Sequence, residues 1–161
     1  MSRAAQPAPA DRAPALGAPA DLPPSAPAPA RVLVVEDDHD LRALVCLFLQ
    51  HGGLAPLEAA DCLQAQAVLE TTDVEVVLLD HLLPGHTGGE LLASCARLHG
   101  PRRPGVAVLT GNPDRDLAAT LLSAGADAVL LKPFDPPHLL RVVGRLAGEA
   151  TQRRLAGQSR R

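Results

Sequence analysis

Residues 32–38 read VLVVEDD and residues 76–88 read VVLLDHLLPGHTG, and the form these two stretches share decides the fold. Each opens as an unbroken aliphatic run and stops at acidic residues. Residues 106–109 and 128–131 repeat the design and end at Thr110 and Lys132. Nearly continuous short aliphatic runs, here 32–35, 74–79, 106–109 and 128–131, suit parallel strands buried on both faces. Residues 54–59 are a weaker strand candidate. Pro56 within them cannot donate to a ladder, which points to an edge position.

Segments of helical length separate these runs, several with a recognisable start. Asp135 before Pro136 offers an N-cap and a first-turn proline, and Asn112 before Pro113 does the same for a helix ending near Ala124. Thr87 and Glu90 form a capping box ahead of Leu91 and Leu92. The β-α pattern occurs five times. Parallel strands need crossovers, almost always right-handed and usually helical, so the pattern predicts an α/β three-layer, doubly wound sandwich over residues 31–148.

The flanks differ in composition from this unit. Residues 1–30 hold 8 of the 16 prolines and 11 alanines, with Arg3 and Arg12 balancing Asp11 and Asp21, the composition of a disordered, extended tail. Residues 149–161 carry Arg153, Arg154, Arg160 and Arg161 against one acid, a net charge of +3, and read as a basic, frayed tail. With the whole chain at −3 and the first tail neutral, residues 31–148 carry −6, which disfavours nucleic acid as a partner of the domain. The longest apolar run, residues 43–49, falls far short of the roughly 20 residues of a membrane span, and the N-terminus has no signal-like core, so a cytoplasmic protein is expected. Cys46, Cys62 and Cys95 are odd in number and lack CxxC spacing, which argues against disulfides or structural zinc.

In a sheet of this kind, ligands bind beyond the carboxyl ends of the strands. There the first strand delivers Glu36, Asp37 and Asp38, the third Asp80, the fourth Thr110 and the fifth Lys132. Clustered carboxylates repel unless a cation joins them, and hard oxygen ligands of this number suit Mg2+. Asp80 then serves as a nucleophile toward a phosphoryl group whose charge the metal, Lys132 and the Thr110 hydroxyl neutralise or bind. Lys132 is the only lysine beside 14 arginines, so its place at a strand end points to a need for a compact ammonium.

These residues give the segment its resemblance to the receiver domain of bacterial two-component response regulators, carried by VLVVEDD, VVLLDHLLPGHTG, LTG at 109–111 and GADAVLLKPF at 125–134. The separations of 43 residues from Asp37 to Asp80, 30 to Thr110 and 22 to Lys132 agree with it. The resemblance implies a flavodoxin-like (βα)5 fold with strand order 2-1-3-4-5. It also implies that Asp80 is the phosphoacceptor, that Asp37, Asp80 and the backbone carbonyl of Leu82 bind Mg2+ directly, and that Glu36 acts through water. Thr110 and Lys132 become the phosphate-binding and switch residues, Asp38 a bystander, and Pro84 and Gly88 shape the loop after Asp80.

Three positions depart from the family pattern. Val129 stands where receivers commonly carry an aromatic switch residue, and Phe48 and Phe134 are the chain's only aromatics, so an inward-swinging ring cannot be the output. Cys62 replaces a common glycine, and the apolar Leu82 cannot orient an attacking water, which points to slow self-dephosphorylation. The expected function is a stand-alone receiver that accepts a phosphoryl group from a sensor histidine kinase or a histidine phosphotransfer protein. It is not an enzyme in its own right, and its output is contact with a downstream protein or onward phosphotransfer, without direct DNA binding. One alternative is a pseudo-receiver that binds a partner without phosphorylation. Another, an aspartyl-phosphate phosphatase, needs a second acid where Leu82 stands.

Overall fold

The computed structural model describes residues 28–84, 88–98 and 100–158. Five strands, β1 (Arg31–Val35), β2 (Ala55–Ala59), β3 (Val76–Asp80), β4 (Gly105–Thr110) and β5 (Ala128–Leu131), alternate with five helices. These are α1 (His39–His51), α2 (Cys62–Thr71), α3 (Gly88–Arg97), α4 (Arg115–Ser123) and α5 (Pro136–Gln158). All strand pairings are parallel and the order is β2-β1-β3-β4-β5, as the resemblance implies. Pro56 does lie on an edge strand, opposite Val32.

The unbroken aliphatic runs follow from burial on both faces. Along β1, Val32 and Val34 point into a core with α1 and α5, while Leu33 and Val35 point into a second core with α2, α3 and α4. On the α1 and α5 side, Val76, Leu78, Ala107 and Leu109 meet Val45, Leu49, Leu139, Val143 and Leu146. On the other, Val77, Leu79, Val106 and Val108 meet Leu91, Leu92 and Leu121. With no polar position to leave exposed, the central strands carry no alternation.

Helix starts are set by short aspartate caps. Asp38 Oδ1 accepts from the Leu41 N–H at 2.9 Å, Asp61 Oδ1 from Gln64 at 2.8 Å, and Asp135 Oδ2 from His138 at 3.0 Å. Asp38 is therefore no bystander to the fold: it caps α1. The cap expected at Asn112 falls instead on Asp114, whose carboxylate accepts from Asp116 N–H at 2.9 Å. Asn112 is occupied differently, since its Oδ1 accepts from Asp114 N–H at 3.0 Å and closes a turn that ends one residue before the helix. The capping box at Thr87 lies outside the described residues, as does the tail up to residue 27. Gly125, with φ of 115°, turns the chain from α4 into β5. A Cβ there would come within 2.6 Å of the Ala96 Cβ.

The expected boundary at residue 148 is corrected at the C-terminal side. Rather than giving way to a frayed tail, α5 continues to Gln158, because its last turns bind the amino end of the sheet. Ala150 is buried, Arg153 Nη2 donates to the Arg103 carbonyl at 3.3 Å, and Arg154 pairs with Glu75 and donates to the Val74 carbonyl. These ties give the two arginines a structural role that net charge does not reveal. Among the described residues no helix is long and apolar enough to cross a membrane.

Burial sets the expected cost of core truncation. Leu139, fully buried between α5 and the sheet, should cost about 2–5 kcal/mol on replacement by alanine, whereas Leu63→Ala, at 65% exposure, should stay within about 0.5 kcal/mol. Urea denaturation of the two variants beside the parent measures both.

Candidate functional site

Parallel packing brings the ends of β1, β3, β4 and β5 to one rim. Glu36 follows β1, Asp80 and Thr110 are the last residues of β3 and β4, and Lys132 follows β5. The ladder aligns them: Asp80 stands beside Leu109 and Thr110 beside Leu131, while Lys132 N–H donates to the Thr110 carbonyl at 2.7 Å. Glu36, Asp80 and Thr110 are almost wholly buried, at 2%, 7% and 3% exposure, and Asp37 is exposed at the mouth.

The lysine is the hub of the site. Its Nζ lies 2.8 Å from Glu36 Oε2 and 3.3 Å from Asp80 Oδ1, so one ammonium serves two buried carboxylates. Burial pushes the Glu36 carboxyl above its ordinary range; the hydrogen bond from Lys132 offsets part of this and the nearby Asp80 charge adds to it. For Lys132, burial works against the ammonium, but the Glu36 hydrogen bond and the charges of Asp80 and Glu36 outweigh it and the shift is upward. At neutral pH this favours a charged lysine.

The remaining groups are placed by the loops. Leu82 N–H donates to Asp80 Oδ1 at 3.2 Å, which sets the Leu82 peptide against the aspartate while its side chain, 74% exposed, points away. Thr110 Oγ1 accepts from Asn112 N–H at 3.1 Å, an orientation that leaves the hydroxyl proton to be donated elsewhere. Gly88, the first residue of α3, must be small, because a Cβ there would lie 3.0 Å from the Asp80 carbonyl oxygen. Arg42, which the sequence reading passed over, donates from Nη1 to the Glu36 carbonyl at 2.7 Å.

The donor set fits a hard divalent cation. One carboxylate oxygen each from Glu36, Asp37 and Asp80 lies within 4.8 Å of the others, in a pocket where Mg2+ would meet oxygen ligands only. Val129 is partly buried against the α2–α4 core and lines a cavity of roughly 160 Å3 with Thr110, Pro113, Ala118 and Leu131. Where a ring would pack there is open space beside the threonine. Of the histidines that flank Asp80, His81 is half-buried and donates its backbone N–H to the Leu109 carbonyl; His86 lies outside the described residues.

A (βα)5 sandwich that gathers three acids, a threonine and a lysine at its carboxyl rim defines a class, and the comparisons with known proteins agree. The family model for the response regulator receiver domain matches residues 32–144, and the chain belongs to that family. It is 34% identical over 110 residues to the phosphate regulon transcriptional regulatory protein PhoB of Escherichia coli, covering 68% of this chain and 48% of PhoB. It is 32% identical over 117 residues to the DNA-binding response regulator MtrA of Mycolicibacterium paratuberculosis, covering 72% and 51%. The chain thus spans about half the length of these curated relatives. Among solved structures, a CheY-like receiver domain from Methanospirillum hungatei superposes with a TM-score of 0.70 at 27% identity, covering 77% of this chain and 98% of that one. The chemotaxis response regulator CheY4 of Vibrio cholerae gives 0.68 at 28%, covering 73% and 98%. This is a receiver domain of a response regulator in two-component signalling, a class that generally binds Mg2+ at an acidic pocket and interacts with histidine kinases or phosphotransfer proteins.

The cysteines play no part in this rim. All three are buried, and burial pushes the thiols of Cys46 and Cys95 up to about 11 and raises that of Cys62 as well. At pH 8 the thiolate fraction is correspondingly small. A thiol reagent such as DTNB should find no rapidly reacting thiol in the native protein at that pH and three after denaturation.

Proposed function

We propose that this receiver takes a phosphoryl group from a phosphohistidine, on a sensor kinase or a phosphotransfer protein, onto Asp80. The single observation that carries the reading is the pairing of buried Asp80 and Glu36 with the ammonium of Lys132. An Asp80 oxygen attacks phosphorus as the N–P bond breaks, and the imidazole nitrogen departs with the bonding electrons. Asp37, Asp80 and the Leu82 carbonyl would hold Mg2+ directly and Glu36 through water; the metal, when bound, neutralises charge on the transferring group. Lys132 and the Thr110 hydroxyl take the other phosphoryl oxygens. The protein supplies its own phosphorylation chemistry and is not otherwise an enzyme.

The output is a protein contact, in the cytoplasm, with phosphorylation read through the Thr110 loop and α4 and without a rotating ring. The relatives PhoB and MtrA are described as regulators that control transcription or bind DNA, and a similar output from this chain would pass through a contact made by the receiver. Support for a ring-free readout comes from the open space bounded by Val129 and Ala118 of α4, into which α4 and the loop at residues 110–114 can settle.

Incubation with Mg2+ and acetyl phosphate should add one phosphoryl mass to the parent and none to Asp80→Asn. Thr110→Ala and Lys132→Ala should slow the gain by on the order of tenfold or more, as expected when one preorganised donor is lost. A parent that gains no mass favours the pseudo-receiver. In the phosphorylated parent, backbone amide shifts should extend along α4; shifts confined to the loops at the rim would rule out this route of readout.

A further inference from the structure

Arg42 lies one turn into α1, and its guanidinium is turned back toward the acidic rim. Nη1 donates to the Glu36 carbonyl at 2.7 Å and reaches the Asp37 carbonyl at 3.5 Å, while Nε donates to Glu58 Oε2 on β2 at 3.1 Å. The arginine side chain is only 11% exposed. Both carbonyls belong to the residues that carry the candidate metal acids, and the Glu36 carbonyl is part of the peptide joining them. Holding that peptide sets the directions in which the two carboxylates leave the backbone. Other ties on this loop are the Glu36 N–H to the Ala59 carbonyl at 3.1 Å, Asp38 N–H to Glu36 Oε1 at 3.3 Å and Lys132 Nζ to Glu36 Oε2 at 2.8 Å, and none of these restrains the carbonyl side.

We propose that Arg42, held in place by Glu58, is a positioning residue for the cation site: it preorganises the Glu36–Asp37 loop so that both carboxylates face Asp80 before Mg2+ arrives. The proposal rests on the reading of this rim as a magnesium pocket. A planar guanidinium suits the task because Nε and Nη1 point in separate fixed directions, one toward the β2 carboxylate and one toward the loop carbonyl. A lysine has a single ammonium on a flexible stem and cannot fix both contacts in the same way.

Charge alone gives the opposite expectation. A cation near a metal site repels Mg2+, so removing Arg42 should tighten binding if only Coulomb forces counted. Positioning predicts weakening, because supporting groups around metal ligands typically contribute tenfold or more to affinity. The sign of the effect therefore separates the two.

The chain has no tryptophan or tyrosine to report binding by fluorescence, so the test is a Mg2+ titration of the 15N-labelled full chain followed by amide shifts. Arg42→Met should weaken Mg2+ binding about tenfold and Arg42→Lys about threefold, with amide shifts elsewhere in the sheet unchanged. Arg42→Lys keeps the charge, so Coulomb forces alone predict no change for it, and this variant decides the matter should Arg42→Met fail to fold. Unaltered affinity in Arg42→Lys, or tighter binding in Arg42→Met, overturns the positioning role while leaving the magnesium pocket intact. A parent that shows no saturable shift with Mg2+ overturns both.

Discussion

Two carboxylates almost sealed from solvent, at the ends of neighbouring parallel strands, are an unstable arrangement on their own, and the ammonium of Lys132 is the charge that permits it. Burial and mutual repulsion oppose ionisation of Glu36, and Lys132, within hydrogen-bond reach of both acids, offsets much of that cost. The rest of the structure follows from keeping these three groups together. The ladder from β1 through β3 and β4 to β5 sets their spacing, and the two aliphatic cores hold the ladder between helices on both sides. A divalent cation or a phosphoryl group entering the rim would change the charge that the lysine balances, and Lys132 is tied through its own N–H to the Thr110 carbonyl.

Around this hub the loops are restrained one by one. Asp38 caps α1, Leu82 N–H donates to Asp80, Gly88 lets α3 approach the Asp80 backbone, and Arg42 binds the carbonyl between the first two acids. A metal site assembled from loops needs such support, since ligands on an unrestrained chain lose conformational entropy each time they bind. The opposite end of the sheet is tied just as firmly. Arg153 and Arg154 of α5 bind Arg103, Val74 and Glu75, while Arg103 pairs with Asp127 and donates to the Gly125 carbonyl. At the rim, by contrast, α4 borders an open cavity of roughly 160 Å3 beside Thr110.

Much of this was legible along the chain. The aliphatic runs showed their burial on both faces because a strand without polar positions has no other stable place, and Pro56 marked the edge because it lacks a donor. Glu36, Asp37, Asp80, Thr110 and Lys132 could be singled out because each interrupts or follows an apolar run at the same end of a strand. Arg42 escaped notice because its partners lie 6 and 16 residues away on other elements, and a lone arginine on a helix carries no local signal. The basic stretch after residue 148 read as a frayed tail for a similar reason: its contacts with Val74, Glu75 and Arg103 are invisible in a count of charges.

The amino-acid sequence by itself determined the strands, the five-fold β-α alternation and the identity of the residues at the strand ends, because burial periodicity and turn chemistry act over a few neighbouring positions. Tertiary structure alone decided that Lys132 faces Glu36 and Asp80 and that α5 runs on to Gln158. Those outcomes depend on hydrogen bonds and charges meeting across the fold, between residues as far apart as Glu36 and Lys132, and such meetings exist only once the sheet has brought its strands together.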